Sequence, residues 1–214
     1  YAVTATRKTL TDYANRNGIE IELLDGPGLG VYRFKRKLVT NKKVSIIIPF
    51  KDQVHYLKEC VKSIIEKTSY SNFEILLISN DSVKKETFHY LSSIKKGYPN
   101  IRVLEYNFPF NYSAINNWAV KQCDGEYILL LNNDIKAISD QWLEAMIEHI
   151  QLENVGIVGA KLLYDDNTIQ HAGVIIGIGG IAGHSHRFIH DSSVGYFYRP
   201  CVIQELSAVT GACL

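Results

Sequence analysis

Apolar runs of strand length alternate with amphipathic stretches of helix length across residues 44–160, and no other feature restricts the fold as strongly. Residues 44–48 form a β-branched run closed by Pro49. Residues 73–78, 101–106, 127–131 and 155–160 repeat that pattern as further strands. Between them, residues 56–67 put Leu57, Val61, Ile64 and Ile65 on one helical face. Residues 84–96, 113–123 and 142–151 read as further helices, with Ser113 a natural N-cap. Such alternation predicts an α/β fold: a mostly parallel, doubly wound, Rossmann-like sheet with helices on both faces and right-handed crossovers.

Ahead of this pattern, residues 2–17 read as a helix, 19–24 as a short strand and 32–38 as an extended piece, with a Gly-Pro turn at 25–28. The expected organisation is a leader or linker over residues 1–43 and a domain over 44–214, whose halves are 44–135 and 136–214. Past Leu163 the rhythm breaks into a Gly-rich apolar segment, histidines and the aromatics Tyr196, Phe197 and Tyr198. Loops and short strands over the open face of the sheet are expected there.

A parallel sheet brings the carboxyl ends of its strands to one rim, where ligands of such sheets bind. Three polar clusters stand at those ends: Pro49-Phe50-Lys51-Asp52, Ser79-Asn80-Asp81-Ser82 and Asn132-Asn133-Asp134. A lone carboxylate flanked by neutral oxygen donors, as at Asp134, suits a hard divalent cation carrying a phosphate group, which points to nucleotide or sugar-phosphate chemistry. On residue chemistry alone the alternatives stay open: Asp134 seats a cation or closes a turn, Asn80 and Asp81 contact a nucleotide or form an Asx-turn, and Asp52 contacts a ligand or caps a helix. Asn116 and Asn117 add polar groups to a helical stretch beside Phe110 and Trp118.

Composition excludes other classes. The net charge is +1, so no bulk attraction to nucleic acid exists. No apolar stretch reaches the roughly 20 residues of a membrane span, and the first residues given do not read as a secretory leader. Cys60, Cys123, Cys201 and Cys213 are scattered without metal-ligand spacing and read as buried thiols in a reducing compartment. His171, His184 and His186 lack a carboxylate at zinc-motif distance and suit surface or acceptor-contact roles better. The basic tract Arg33, Lys35, Arg36, Lys37, Lys42, Lys43 reads as a solvated linker or, less readily, as a contact to anionic lipid. The chain opens at Tyr1 and stops at Leu214 within an apolar run, so both ends read as cuts through a longer polypeptide.

In this order, the strand at 44–49, the strand 73–82 and the strand ending in Asn132-Asn133-Asp134 resemble the family 2 inverting glycosyltransferases of the GT-A fold. Residues 109–113, 159–164, 168–173 and 207–213 are similar to a rhamnosyltransferase-like subgroup that builds bacterial O-antigen, capsule or cell-wall polysaccharide. The resemblance implies that Asp52, Asn80 and Asp81 lie near base and ribose, with Pro49, Phe50, Asn116, Asn132 and Asn133 also on the nucleotide side. It implies that Asp134 binds Mn²⁺ or Mg²⁺, and that His171, His184 and Gly211 face the acceptor. Departures from the family pattern are Asn132 at the first acidic position of Asp-x-Asp, Ser79-Asn80 where Asp is common, and Phe50 where a small hydroxyl residue is common.

By that resemblance an acceptor hydroxyl, deprotonated by a carboxylate, displaces a nucleoside diphosphate in one inverting step. The general base is expected beyond Leu214, so no catalytic residue is named; Glu205 and Asp191 do not fall at its position. The implied partners are a nucleoside-diphosphate sugar and a glycan or lipid-linked glycan acceptor. The implied location is the cytoplasm, with peripheral contact to the inner membrane face. The alternative is a nucleotide-sugar-binding module without transfer activity inside a larger enzyme.

Overall fold

The β-branched run at Val44 forms its strand, and the computed structural model, which describes residues 1–214, builds the other elements in the expected alternation. In chain order these are α1 (Ala2–Arg16), β1 (Ile21–Asp25), β2 (Tyr32–Arg36), β3 (Val44–Phe50), α2 (Val54–Lys67), β4 (Phe73–Ser79), α3 (Lys85–Gly97), β5 (Ile101–Glu105) and α4 (Tyr112–Val120). There follow β6 (Tyr127–Leu130), α5 (Trp142–Ile150), β7 (Leu162–Leu163), β8 (Ile169–His171), β9 (Val174–Ile176) and β10 (Ala182–His184). Two compact units result: Thr40–Glu144 with Gly211–Leu214, and Tyr1–Val39 with Ala145–Thr210. This division differs from the expected boundary at residue 43, because the leader joins the C-terminal half of the chain.

In the first unit β5, β4, β3 and β6 form one parallel sheet in that spatial order. Continuous Ile and Leu runs suit strands buried on both faces. Ile47, Leu76 and Ile78 face α4 and pack with Ile115, Ala119 and Tyr106. Alternation turns Ile46, Ile48, Ile75 and Leu77 to the opposite face, where they are also fully buried. Each such side chain contributes about 2 kcal/mol through burial. The strand expected at residues 155–160 does not form; Ile157 is 64% exposed. The free edge of β6 is instead paired with the chain terminus, through Leu130 N to Leu214 O (2.8 Å), Leu214 N to Leu130 O (3.1 Å) and Asn132 N to Ala212 O (2.9 Å). An antiparallel edge therefore closes the parallel sheet.

At the amino ends of these strands Glu74, 3% exposed on average across its side chain, gathers a polar network. It accepts from Ser45 Oγ (2.6 Å), Asp124 N (2.8 Å) and Arg102 Nη1 (3.2 Å), and Lys43 lies 3.6 Å away. Burial raises the Glu74 carboxyl; these hydrogen bonds and cations outweigh it and hold the group below its ordinary value. Gly125 approaches so closely that an added Cβ would stand 2.6 Å from both the Ser45 amide nitrogen and Oγ.

In the second unit β1 and β2 make an antiparallel hairpin. Its basic residues are not a solvated linker. Arg33 Nη2 donates to Glu148 Oε1 at 2.9 Å, the Arg36 amide to Glu148 Oε2 at 3.3 Å, and Lys37 pairs with Glu20 at 2.6 Å. The Val39 amide and the Lys37 carbonyl both bind the Gln151 side chain. These pairings use charge that would otherwise be free for anionic lipid. No helix of the chain is long and apolar enough to cross a membrane.

Candidate functional site

A strand order of β5-β4-β3-β6 reverses direction of winding at β3, so a crevice opens between the carboxyl ends of β3 and β6. The polar clusters legible in the sequence meet around it. Phe50 ends β3 opposite Ser79, and the register of β3 and β6 pairs Ile47 with Leu130 just below Asn132.

Asp134 lies in a turn closed by the Ile135 amide donating to the Asn132 carbonyl at 3.3 Å. The backbone closes that turn by itself, and the exposed Asp134 carboxylate makes no hydrogen bond or ion pair within the protein. Asn132 and Asn133 are half-buried beside it. One carboxylate and two amide oxygens are hard donors suited to Mg²⁺ or Mn²⁺ and leave most coordination positions to phosphate and water. The chain contains no cluster of three or more His, Cys, Asp or Glu able to hold a metal alone.

Asp52 has a different task. Its side chain is 7% exposed, and its Oδ1 accepts from the Val83 and Lys84 amides (3.1 and 3.0 Å) and from Thr87 Oγ1 (3.1 Å). Burial alone would raise this carboxyl; the Lys84 and Val83 amides, the Thr87 hydroxyl and the Lys84 charge outweigh it and hold the group low. Asp52 thus caps α3 across the loop and not the nearer α2. It and Gln53 stand at φ 50° and 46°, in the left-handed region. The Asp52 amide donates to Ser82 Oγ at 3.0 Å, a second tie between the β3 and β4 ends.

Asn80, 3% exposed, donates both amide hydrogens, to the carbonyls of Tyr106 and Phe108, each at 2.9 Å. It clamps the exit of β5, and its NH₂ group is spent. Asp81 is exposed at φ 53° with a carboxylate free of protein partners, so at the β4 tip it is the acid available to a ligand. Pro49 is half-buried and Phe50 buried, which makes them walls and not polar contacts.

Helix α4 begins at Tyr112, capped by Asn111 Oδ1 accepting from the Ala114 amide at 2.9 Å, two residues earlier than the expected Ser113 cap. Asn116, 4% exposed, donates to the Tyr112 carbonyl at 2.8 Å, while its Oδ1 is buried without a partner. Tyr112 Oη donates to the Gly211 carbonyl at 2.6 Å. This contact was not legible beforehand: nothing in the local pattern links positions so distant.

His171 and His184 belong to the other unit. His171 is 1% exposed; its Nε2 accepts from the Thr210 amide at 3.3 Å and its Nδ1 lies 3.3 Å from His184 Nδ1. Burial, assisted by the His184 charge, lowers His171 to about 4. It is therefore neutral near pH 7, and its ring is used in holding the Thr210 segment. His184 is exposed, with Nδ1 2.9 Å from the Gln170 carbonyl. A groove of about 760 Å³ beside α1 and β1, lined by Arg7, Thr11, Asn15, Ile19, Glu20 and Leu23, holds a single carboxylate, that of Glu20. Chemistry and not volume singles out the rim.

The family model described as "Glycosyl transferase family 2" matches residues 45–192. The chain is 43% identical over 215 residues, its whole length, to "Uncharacterized protein y4gI" of Sinorhizobium fredii, of which it spans 24%. It is 42% identical over 184 residues, 85% of the chain, to "O-antigen biosynthesis protein RfbC" of Myxococcus xanthus, of which it spans 14%. Among solved structures, a mannosyltransferase from Pyrobaculum calidifontis in complex with GDP-Man and Mn²⁺ shares the fold. It superposes with a TM-score of 0.52 at 14% identity, over 75% of this chain and 45% of that one.

Proposed function

The chain belongs to glycosyltransferase family 2 and has its GT-A fold, and from that premise we propose a metal-dependent, inverting glycosyltransferase module. It moves a sugar from a nucleoside-diphosphate sugar to a growing bacterial surface polysaccharide. The observation that carries this reading is the free Asp134 carboxylate, flanked by Asn132 and Asn133, at the crevice between β3 and β6. The O-antigen name of one relative supports the polysaccharide acceptor. The GDP-Man and Mn²⁺ of the fold neighbour support the donor class and the cation.

In this proposal Asp134 holds Mn²⁺ or Mg²⁺ with Asn132 and Asn133 beside it. When bound, such a cation would supply positive charge against the charge developing on the departing nucleoside diphosphate. Asp81 accepts from ribose or base hydroxyl and amino groups, the Phe50 and Pro49 backbone forms the floor, and Asn116 offers its buried oxygen from α4. Asp52 and Asn80 hold the loops that carry these groups. Asp52 is unsuited to act as general base, since amide and hydroxyl donors stabilise its ionised form. His184 and Gly211 are assigned to the acceptor side. The module works in the cytoplasm, in peripheral contact with the membrane face that carries its lipid-linked acceptor.

Calorimetric titration of GDP and UDP with and without Mn²⁺ tests the reading. Mn²⁺ tightens binding by about tenfold or more, the effect of roughly 1.4 kcal/mol, and Asp134→Ala removes that gain without lowering thermal stability. Equal affinity with and without metal refutes it. Metal-strengthened binding without transfer by the full-length protein indicates the binding module instead.

A further inference from the structure

We propose that Lys51 is the cation of the protein that engages the diphosphate at the β3–β6 crevice, on the rim that also carries Asp134; this rests on the nucleotide-sugar reading above. Lys51 follows the last residue of β3. Its neighbours Phe50 and Asp52 are buried, whereas Lys51 is exposed. In the sheet β3 lies between β4 and β6, and the register that sets Phe50 beside Ser79 runs one residue on to Lys51 and Asn80. Lys51 therefore occupies the rim between the β4 and β6 tips.

Charge balance at the rim singles it out. Asp81 and Asp134 both present free carboxylates there. A diphosphate brings further negative charge to the same place, and the departing nucleoside diphosphate carries more than the bound sugar ester did. A divalent cation offsets part of this, and the remainder requires a cationic group of the chain. Of the neighbouring cations, Lys136 pairs with Glu59, and Lys84 acts electrostatically on Asp52. Lys51 makes no hydrogen bond or ion pair within the protein. An ammonium on a flexible stem at a strand end acts on phosphate as a mobile point charge.

The test is calorimetry in Mn²⁺ with GDP and UDP, and with guanosine and uridine, on the wild type, Lys51→Met and Lys51→Arg. Lys51→Met weakens the diphosphates by about tenfold and reduces the salt sensitivity of their binding. Nucleoside affinity is unchanged, and Lys51→Arg restores most of the diphosphate affinity. Equal weakening of nucleosides and diphosphates, or wild-type affinity in Lys51→Met, overturns the inference while leaving the nucleotide-sugar reading intact. A wild-type protein that binds neither diphosphate overturns both.

Discussion

The Tyr112 hydroxyl donates to the Gly211 carbonyl at 2.6 Å, tying the first turn of α4 to the segment paired along β6. That segment bonds Asn132 through the Ala212 carbonyl, so a phenol on one element stands two hydrogen bonds away from the Asn132 tip of β6. Tyr112→Phe should cost about 1 kcal/mol and loosen residues 211–214. Hydrogen exchange reads this directly: the Asn132 and Leu214 amides lose protection while the Ile46–Ile48 amides keep theirs. Wild-type protection at Asn132 in the variant would show that the tie holds nothing. Gly211→Ala should act similarly, because its methyl would meet the Tyr112 oxygen at 2.9 Å.

Asp52 and Asp81 are expected to separate cleanly, although both stand at strand ends. Asp52→Asn removes the charged acceptor of the Val83 and Lys84 amides and should cost about 1 kcal/mol, the usual worth of a helix cap. Asp81→Asn alters an exposed side chain without protein partners and should leave the melting temperature unchanged while weakening GDP or UDP binding severalfold. Thermal melts and titrations on the same two variants check this. Unchanged stability in Asp52→Asn would contradict the capping role.

What was readable in the sequence follows from range. The strands at Val44, Phe73, Ile101 and Tyr127 were legible because burial on both faces demands unbroken Ile, Val and Leu runs. Their convergence on one rim followed from parallel pairing alone. The false strand at residues 155–160 has the same local composition; what it lacks is a sheet edge, and the edge of β6 was taken by residues much later in the chain. Likewise Arg33 reads as a linker cation until Glu148 is brought to it. At the rim, the sequence marked the acids at the strand ends but not which of them the fold engages. Asp52 meets Val83, Lys84 and Thr87 only after β4 returns beside β3, and Asn80 meets Phe108 only after β5 does.

Glu74 should dominate the acid response of the sheet's amino end. Its folded value is depressed, so the stability it contributes is present above the unfolded carboxyl value and is lost as pH falls through the folded one. Glu74→Gln keeps the shape but weakens the bonds from Ser45, Arg102 and Lys43, at about 2 kcal/mol for charge-assisted hydrogen bonds. Urea titrations at pH 7 should show that deficit, and the gap from wild type should narrow below pH 4. A constant gap down to pH 3 would place the Glu74 contribution in packing and not in charge.

His171 titrates in the opposite chemical sense but the same pH direction. Its folded value of about 4 lies below the ordinary histidine value, because burial and the His184 charge disfavour the imidazolium. Between those values the unfolded chain binds a proton that the folded chain refuses, so stability falls as pH drops from about 6.5 toward 4 and is level above that window. The full span corresponds to roughly 3 kcal/mol. Protonation also removes the acceptor lone pair at Nε2 that receives the Thr210 amide, so the segment leading to Gly211 should loosen as well. His171→Gln lacks the titration, and its melting temperature should depend less on pH between 6.5 and 4 than that of the wild type. If the two proteins lose stability in parallel over that interval, His171 is not the group that takes up the proton.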